Sequence, residues 1–192
     1  MPAVEMRFDT SRWTKALTQL GQRAPVALAR GLNKTGASER TAMARAVSKD
    51  MGITVGTARE AITVQKATRD NLAVRVVARG KRLPLIEFKA SGPYPSRGRG
   101  RGVSAVIRGQ RKRYPNAFIA NVTRAGDAGQ HGGHRGVFVR TGTRRLPIKQ
   151  LYGASIATSF AHQVPVGEAR RQDVLLKLVQ HEIEYELSRL RA

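Results

Sequence analysis

The stretch Gly136-Val-Phe-Val-Arg-Thr-Gly-Thr-Arg-Arg-Leu-Pro-Ile-Lys-Gln-Leu-Tyr-Gly-Ala-Ser-Ile156 reads as a short strand, a polar turn, an Arg-Leu-Pro-Ile strand exit and a small-residue helix start. It is an ordered module inside a chain of formal net charge +22. Basic proteins often keep their charge in tails, whereas here it sits on a folded scaffold. Pro147 biases Leu146 toward extended backbone, so Leu146 and Ile148 are expected to anchor the strand exit to the core. Gly153, Ala154 and Ser155 then supply small residues and a Ser cap for a helix beginning near Ile156.

Outward from this module, the sequence predicts helices at both ends and strands between. Val4 to Phe8 is a candidate strand. Asp9, Thr10 and Ser11 offer caps for a helix to about Leu20, which Gly21 ends. Pro25 suits the first turn of a longer helix. Its stripe runs through Leu28, Leu32, Met43, Val47 and Met51, with Gly52 as a stop and a short helical turn over Thr57 to Ala61. The period then changes to two, with Ile62 and Val64 before a turn at Arg69-Asp70-Asn71, and Leu72, Val74, Val76 and Ala78 after it. This predicts a β-hairpin.

Further strands are expected over Leu83 to Phe88, Val103 to Arg108, Ala117 to Val122 and Val137 to Arg140. Pro84 places the first at an edge. Ser91 to Gly102 and Ala125 to Gly136 are glycine-rich and are expected to be mobile loops. A short helix is predicted over Ser155 to His162. A long one follows from Gly167-Glu168, with Leu175, Val179, Ile183, Leu187 and Leu190 as its stripe and acids early, bases late. The fold class is α+β: a mainly antiparallel sheet packed by the N-terminal helices and a long C-terminal helix, with basic Gly-rich loops. One domain over 1–192 is expected, helical to 61, sheet from 62 to 154, helical from 155.

The chain has 35 Lys+Arg against 13 Asp+Glu, no Cys, 5% aromatic residues and a mean hydropathy of -0.37. Disulfides, thiol chemistry and the usual zinc sites are excluded. No apolar run reaches the roughly 18 residues that span a bilayer, and no signal pattern opens the chain. It reads as made and kept in a cytoplasm, or assembled there into a particle. A surplus of cations this large is best tolerated beside a polyanion or an acidic partner.

Arg97, Arg99 and Arg101 alternate with glycine, and Arg108, Arg111, Lys112 and Arg113 extend the basic tract. Contact with phosphates, docking on an acidic protein and a merely solvated loop all fit this pattern. Tyr94 and Tyr114 are the aromatic residues nearby, so base stacking is less favoured than contact with duplex backbone. His131 and His134 with Asp127 lack the further ligands and rigidity of a metal site, and no metal or cofactor is expected. No nucleophile–base pair, paired acids or phosphate-cradling loop is visible, so the chain reads as no enzyme. Glu182, Glu184, Glu186 and His181 read as a solvated helix face or as intersubunit partners.

Leu83-Pro-Leu-Ile-Glu-Phe88, Ala117-Phe-Ile119, Val137-Phe-Val-Arg140, Arg145-Leu-Pro-Ile148 and Leu151-Tyr-Gly-Ala-Ser-Ile156 occur in the order in which the phage and prophage minor tail protein Z family has them. The chain resembles that family over nearly its whole length. Ala154, where related proteins commonly have proline, and the longer loop 125–136 are departures. The resemblance implies a non-enzymatic virion protein at the head-proximal end of a long phage tail. Such a protein completes the tail and joins it to the DNA-filled head. It implies a homo-oligomeric, sixfold ring with a tail terminator and a head–tail connector as partners, and double-stranded DNA in the lumen. Leu83, Pro84, Phe88, Phe118, Leu146, Pro147, Ile148 and Ile156 would be motif residues of its core. A free nucleic-acid-binding protein of ribosomal or nucleoid type is the alternative.

Overall fold

A computed structural model describes residues 1–80, 82–94, 102–122 and 133–191, with Arg12 by its backbone alone. In chain order the elements are β1 (Ala3–Arg7), α1 (Thr14–Leu20), α2 (Ala24–Met51), α3 (Val55–Glu60), β2 (Ile62–Gln65) and β3 (Ala73–Ala78). There follow β4 (Arg82–Pro84), β5 (Val103–Ile107), β6 (Gln110–Tyr114), β7 (Ala117–Val122), β8 (His134–Arg140), β9 (Ile148–Gln150) and β10 (Tyr152–Ser155). Helices α4 (Ile156–Val166) and α5 (Glu168–Arg191) close the chain. The class is α+β, as the sequence predicts. Among the described residues the strands, each three to seven residues long, form four small antiparallel sheets rather than one.

The described chain divides into two compact units. The first holds Met1–Val47, Val55–Arg79 and Phe160–Ala192. Its sheet has the order β1-β3-β2, with Val4 opposite Val76 and Val64 opposite the same residue. The β2–β3 hairpin therefore groups with the helices, not with the later strands. Its central strand buries Val74, Val76 and Ala78 completely. Arg7 and Arg75 both hydrogen-bond Glu5 and hold its carboxyl below the usual range.

Helix α2 lies between this sheet and α5, and two glycines make the close approach possible. A Cβ at Gly31 would stand 2.7 Å from Val179 Cα, and one at Gly36 would stand 2.6 Å from Val74 Cγ2. Each glycine costs a helix interior about 1 kcal/mol against alanine, so the packing must outweigh that. Leu20, Ala24, Ala27, Leu28, Val179 and Ile183 form a buried cluster, with Trp13, Leu17, Leu175 and Leu187 against it. Leu190, expected on the same stripe, is 46% exposed, since the stripe drifts off the contact in the last turn.

The seam between α2 and α5 also carries ions. Arg30 Nη1 donates to Glu186 Oε1 at 2.6 Å, and Lys34 Nζ bonds Glu182. Glu39 receives Arg170 at 2.6 Å and Arg171 at 3.0 Å. Partner numbers rise on α2 as they fall on α5, so the helices run antiparallel. Glu182 and Glu186 are therefore not a solvated face: spacing of four puts them beside Val179 and Ile183, and burial requires a cation opposite each. Asn33 adds a paired amide contact, donating to Ala67 O and accepting from Ala67 N.

The second unit holds Ser48–Thr54 and Gly80–Ser159. Here the separate family-like motifs meet. Leu85 N donates to Leu151 O at 2.9 Å, Leu151 N to Val137 O at 2.8 Å, and Val106 N to Phe88 O at 2.9 Å. Sheet β7-β8-β9 pairs Phe118 with Phe138. Phe88 and Ile156 are buried, Leu83, Pro84, Phe118 and Ile148 partly so. A Cβ on Gly153 would meet the Phe88 ring at 2.4 Å.

Three expectations are corrected in this unit. Leu83 to Phe88 is a three-residue strand followed by a 3-10 turn over Leu85–Glu87, which turns Leu85 and Phe88 inward. Leu146 is 66% exposed and Pro147 is exposed too, so they do not anchor the core. The loop closes instead through Thr141, whose N–H and Oγ1 both donate to Pro147 O. Ser155 does not cap α4; it ends strand β10, which pairs with β4, and its hydroxyl donates to Gly80 O.

Glu39→Gln is expected to lower stability by about 3 kcal/mol, because it leaves the buried Arg171 guanidinium without its counter-charge. Urea unfolding of the two proteins, compared at equal m-value, checks this. An unchanged midpoint would mean the pair is not a support of the seam.

Candidate polyanion interface

The charge is divided unequally between the units. The second unit carries 17 Lys and Arg against Asp50, Glu87 and Asp127, a formal +14, whereas the first carries 18 against 10, a formal +8. In the first unit Glu5, Glu39, Glu182 and Glu186 are all paired with its own cations. Three acids cannot neutralise 17 cations, so the second unit keeps its surplus whatever its side chains do. No acid stands between Glu87 and Asp127. Asp50 accepts from the Ser159 hydroxyl.

Strands β5 and β6 display part of this surplus. They pair from Val103 opposite Tyr114 to Ile107 opposite Gln110, leaving Arg108-Gly109 as a two-residue turn. Both turn residues have positive φ, 51° and 74°, the geometry that a type I′ hairpin requires. The inner strand is fixed: Val103 and Ala105 are fully buried, and Ser91 and Ser104 exchange backbone hydrogen bonds at 2.8 Å. At the base, Gly102 has φ 80° and its Cβ would stand 2.3 Å from Tyr114 O. Gly92 packs as tightly on Val103. The ends of the Ser91–Gly102 stretch are thus built structure, where the sequence predicts a free loop. Glycine is there for steric room as well as for freedom.

The outer strand β6 is Gln-Arg-Lys-Arg-Tyr, and its first four residues are exposed. Strand pleating puts Arg111 and Arg113 on one face, with side chains roughly 7 Å apart, and Lys112 on the other. Arg111 Nη1 donates to Ser104 Oγ at 2.9 Å. Lys112 Nζ lies 5.9 Å above the Tyr114 ring, and burial pushes the Tyr114 phenol above its ordinary value. These contacts orient the cations and leave their charge intact. Among the described residues no carboxylate is in ion-pair reach of Arg108, Arg111 or Lys112.

The structure thus brings Arg108, Arg111, Lys112 and Arg113 together on one hairpin. Arg97, Arg99, Arg101, Asp127 and His131 lie outside the described residues. His134 opens β8, and its Nε2 is 2.7 Å from Gln150 Nε2. Among the described residues no three His, Asp or Glu side chains gather as metal ligands, and no described helix is long and apolar enough to cross a membrane. Sequence reading misses β6 because its residues are nearly all polar. The signal was there in register form: Arg-Gly flanked by two five-residue runs that start from an apolar strand.

The profile of the family described as prophage minor tail protein Z (GPZ) matches residues 12–191. The chain belongs to this family. Its role is accordingly that of a structural phage tail protein, placed in the virion and working among other tail proteins. No match is found among curated proteins or among solved structures.

Two substitutions test the hairpin. Arg108→Asn should raise stability by about 0.5 kcal/mol, because asparagine tolerates the left-handed backbone better than arginine. Gly102→Ala should lower it by about 2 kcal/mol or more through strain and the clash with Tyr114 O. Thermal unfolding reads both. The opposite order would show that the turn and base are not as described.

Proposed function

We propose that the chain is a tail completion protein at the head-proximal end of a long phage tail, where it joins the tail to the DNA-filled head. It acts there as a structural component without catalysis. Copies close into a ring, most simply a sixfold one, between a tail terminator and a head–tail connector. The motif residues Phe88, Phe118 and Ile156 hold the second unit, and its surplus of basic residues, Arg97, Arg99 and Arg101 among them, meets a polyanion in the assembled particle.

The observation that carries this reading is the +14 surplus of the second unit, within a family of tail proteins. Six copies of a +22 chain repel one another, so ring closure needs negative charge close by. A packed head and its acidic neighbours supply that charge at the head–tail junction. A free nucleic-acid-binding role accounts for the charge alone, but not for membership of a tail family.

Electron microscopy of particles carrying a tagged copy is the test. Label is expected at the head–tail junction, and deletion of the gene is expected to leave tails that do not join heads productively. Label at the distal tip, or fully infectious particles after deletion, would overturn the proposal.

A further inference from the structure

We infer that the β5–β6 hairpin binds the phosphate backbone of duplex nucleic acid, without sequence preference, through Arg108, Arg111 and Lys112. This deepens the reading of the same surface as polyanion-facing, and it commits that surface to one of two partners.

The choice rests on what the hairpin lacks. A protein partner is held by a buried apolar centre within a polar rim. From Gly102 to Val122 no large apolar side chain is exposed, and the outer strand offers Gln, Arg, Lys and Arg. Outside the hairpin the same unit does expose large apolar groups, Tyr94 at 43%, Leu146 at 66% and Tyr152 at 52%. The hairpin is thus cationic with no apolar anchor, which suits phosphates and suits a protein surface poorly. The absence of any acid from Phe88 to Gly126 removes local competition for those cations.

The duplex is favoured over a single strand for a second reason. Single-strand binding relies on aromatic rings free to stack on bases. Of the two tyrosines nearby, Tyr114 is half-buried with Lys112 above its ring, which leaves Tyr94, 43% exposed just outside the hairpin, and one ring is no platform for successive bases. The ribbon cannot enter a groove freely either, since β5 is fixed in the core. What remains is contact from the rim to backbone oxygens, which positions a duplex without reading it. Such contact releases counterions, and the affinity falls steeply as salt rises.

Fluorescence anisotropy with a labelled 20-base-pair duplex and the purified full chain tests this, between about 50 and 200 mM salt. The variant Arg108→Gln, Arg111→Gln, Lys112→Gln is expected to bind at least tenfold more weakly. Its plot of log K against log salt should be shallower by about 3. The variant Lys15→Gln, Arg23→Gln, Arg69→Gln removes the same charge from exposed sites of the first unit, and should change affinity less than threefold. Circular dichroism and a melting curve confirm that both variants fold.

Three results would overturn the inference. The first is equal loss in the two variants, which would make binding a matter of net charge. The second is polyglutamate displacing the duplex at equal charge concentration, which would assign the hairpin to an acidic protein. The third is a single strand binding tighter than the duplex. The assay uses purified protein alone, so its failure leaves the placement at the head–tail junction to be decided separately by microscopy.

Discussion

The constraint on which the structure depends is where its few acids go. Glu39, Glu182 and Glu186 are buried along the α2–α5 seam, each held by cations across the helix contact. A carboxylate removed from water is tolerable only when paired and hydrogen-bonded, so these three fix the register of the two longest helices. A slip of one turn would give one of Glu182 and Glu186 the other's cation and leave the second buried without its own. The same assignment leaves the other unit with three acids for 17 cations. Internal order in one half and unsatisfied charge in the other are consequences of a single scarcity.

Low aromatic content sets the second feature. With 5% aromatic residues, the interior is filled by Ala, Val, Leu and Ile, whose side chains reach less far. The backbones must come closer to exclude voids. Gly31 and Gly36 serve this in α2, one toward α5 and the other toward the sheet. Gly153 does the same for Phe88, one of the few large rings in the core. The glycines that look like loop residues in composition are in these places contact surfaces.

Much of the architecture was legible because apolar periodicity reports a buried face directly. The α2 stripe from Leu28 to Met51 is buried where the sequence predicts, as are Ile62, Val74, Val76 and Ala78, whereas Val64 and Leu72 are only partly so and Ala73 and Val77 are buried on the other face. Legibility failed where a polar residue is inside or an apolar one outside. Glu182 and Glu186 lie at helical spacing beside Val179 and Ile183, yet only the presence of Lys34 and Arg30 opposite decides that they are buried. Leu146 looked like an anchor because leucine usually is one, but a loop closed by Thr141 and Pro147 holds it outward. Strand β6 was invisible for the complementary reason: pairing with β5 holds its backbone extended, while its side chains carry no alternation of hydrophobicity. The candidate residues Arg108 to Arg113 were found by charge, and their shared hairpin was not.

The basic outer strand also resolves a structural difficulty of its own. An edge strand presents unpaired N–H and C=O groups to any passing chain, and positive side chains are an effective guard against pairing. In β6 the guard and the candidate contact are the same residues. A partner that bound by adding a strand would have to displace them, whereas one that binds through phosphate oxygens uses them as they stand. Side-chain contacts to phosphate fix no base register, so a duplex held this way can shift along the hairpin without breaking a specific interface. For a protein proposed to sit where DNA passes from head to tail, attraction without register is the physically consistent form of contact. A sequence-reading interface there would oppose the passage it is meant to serve.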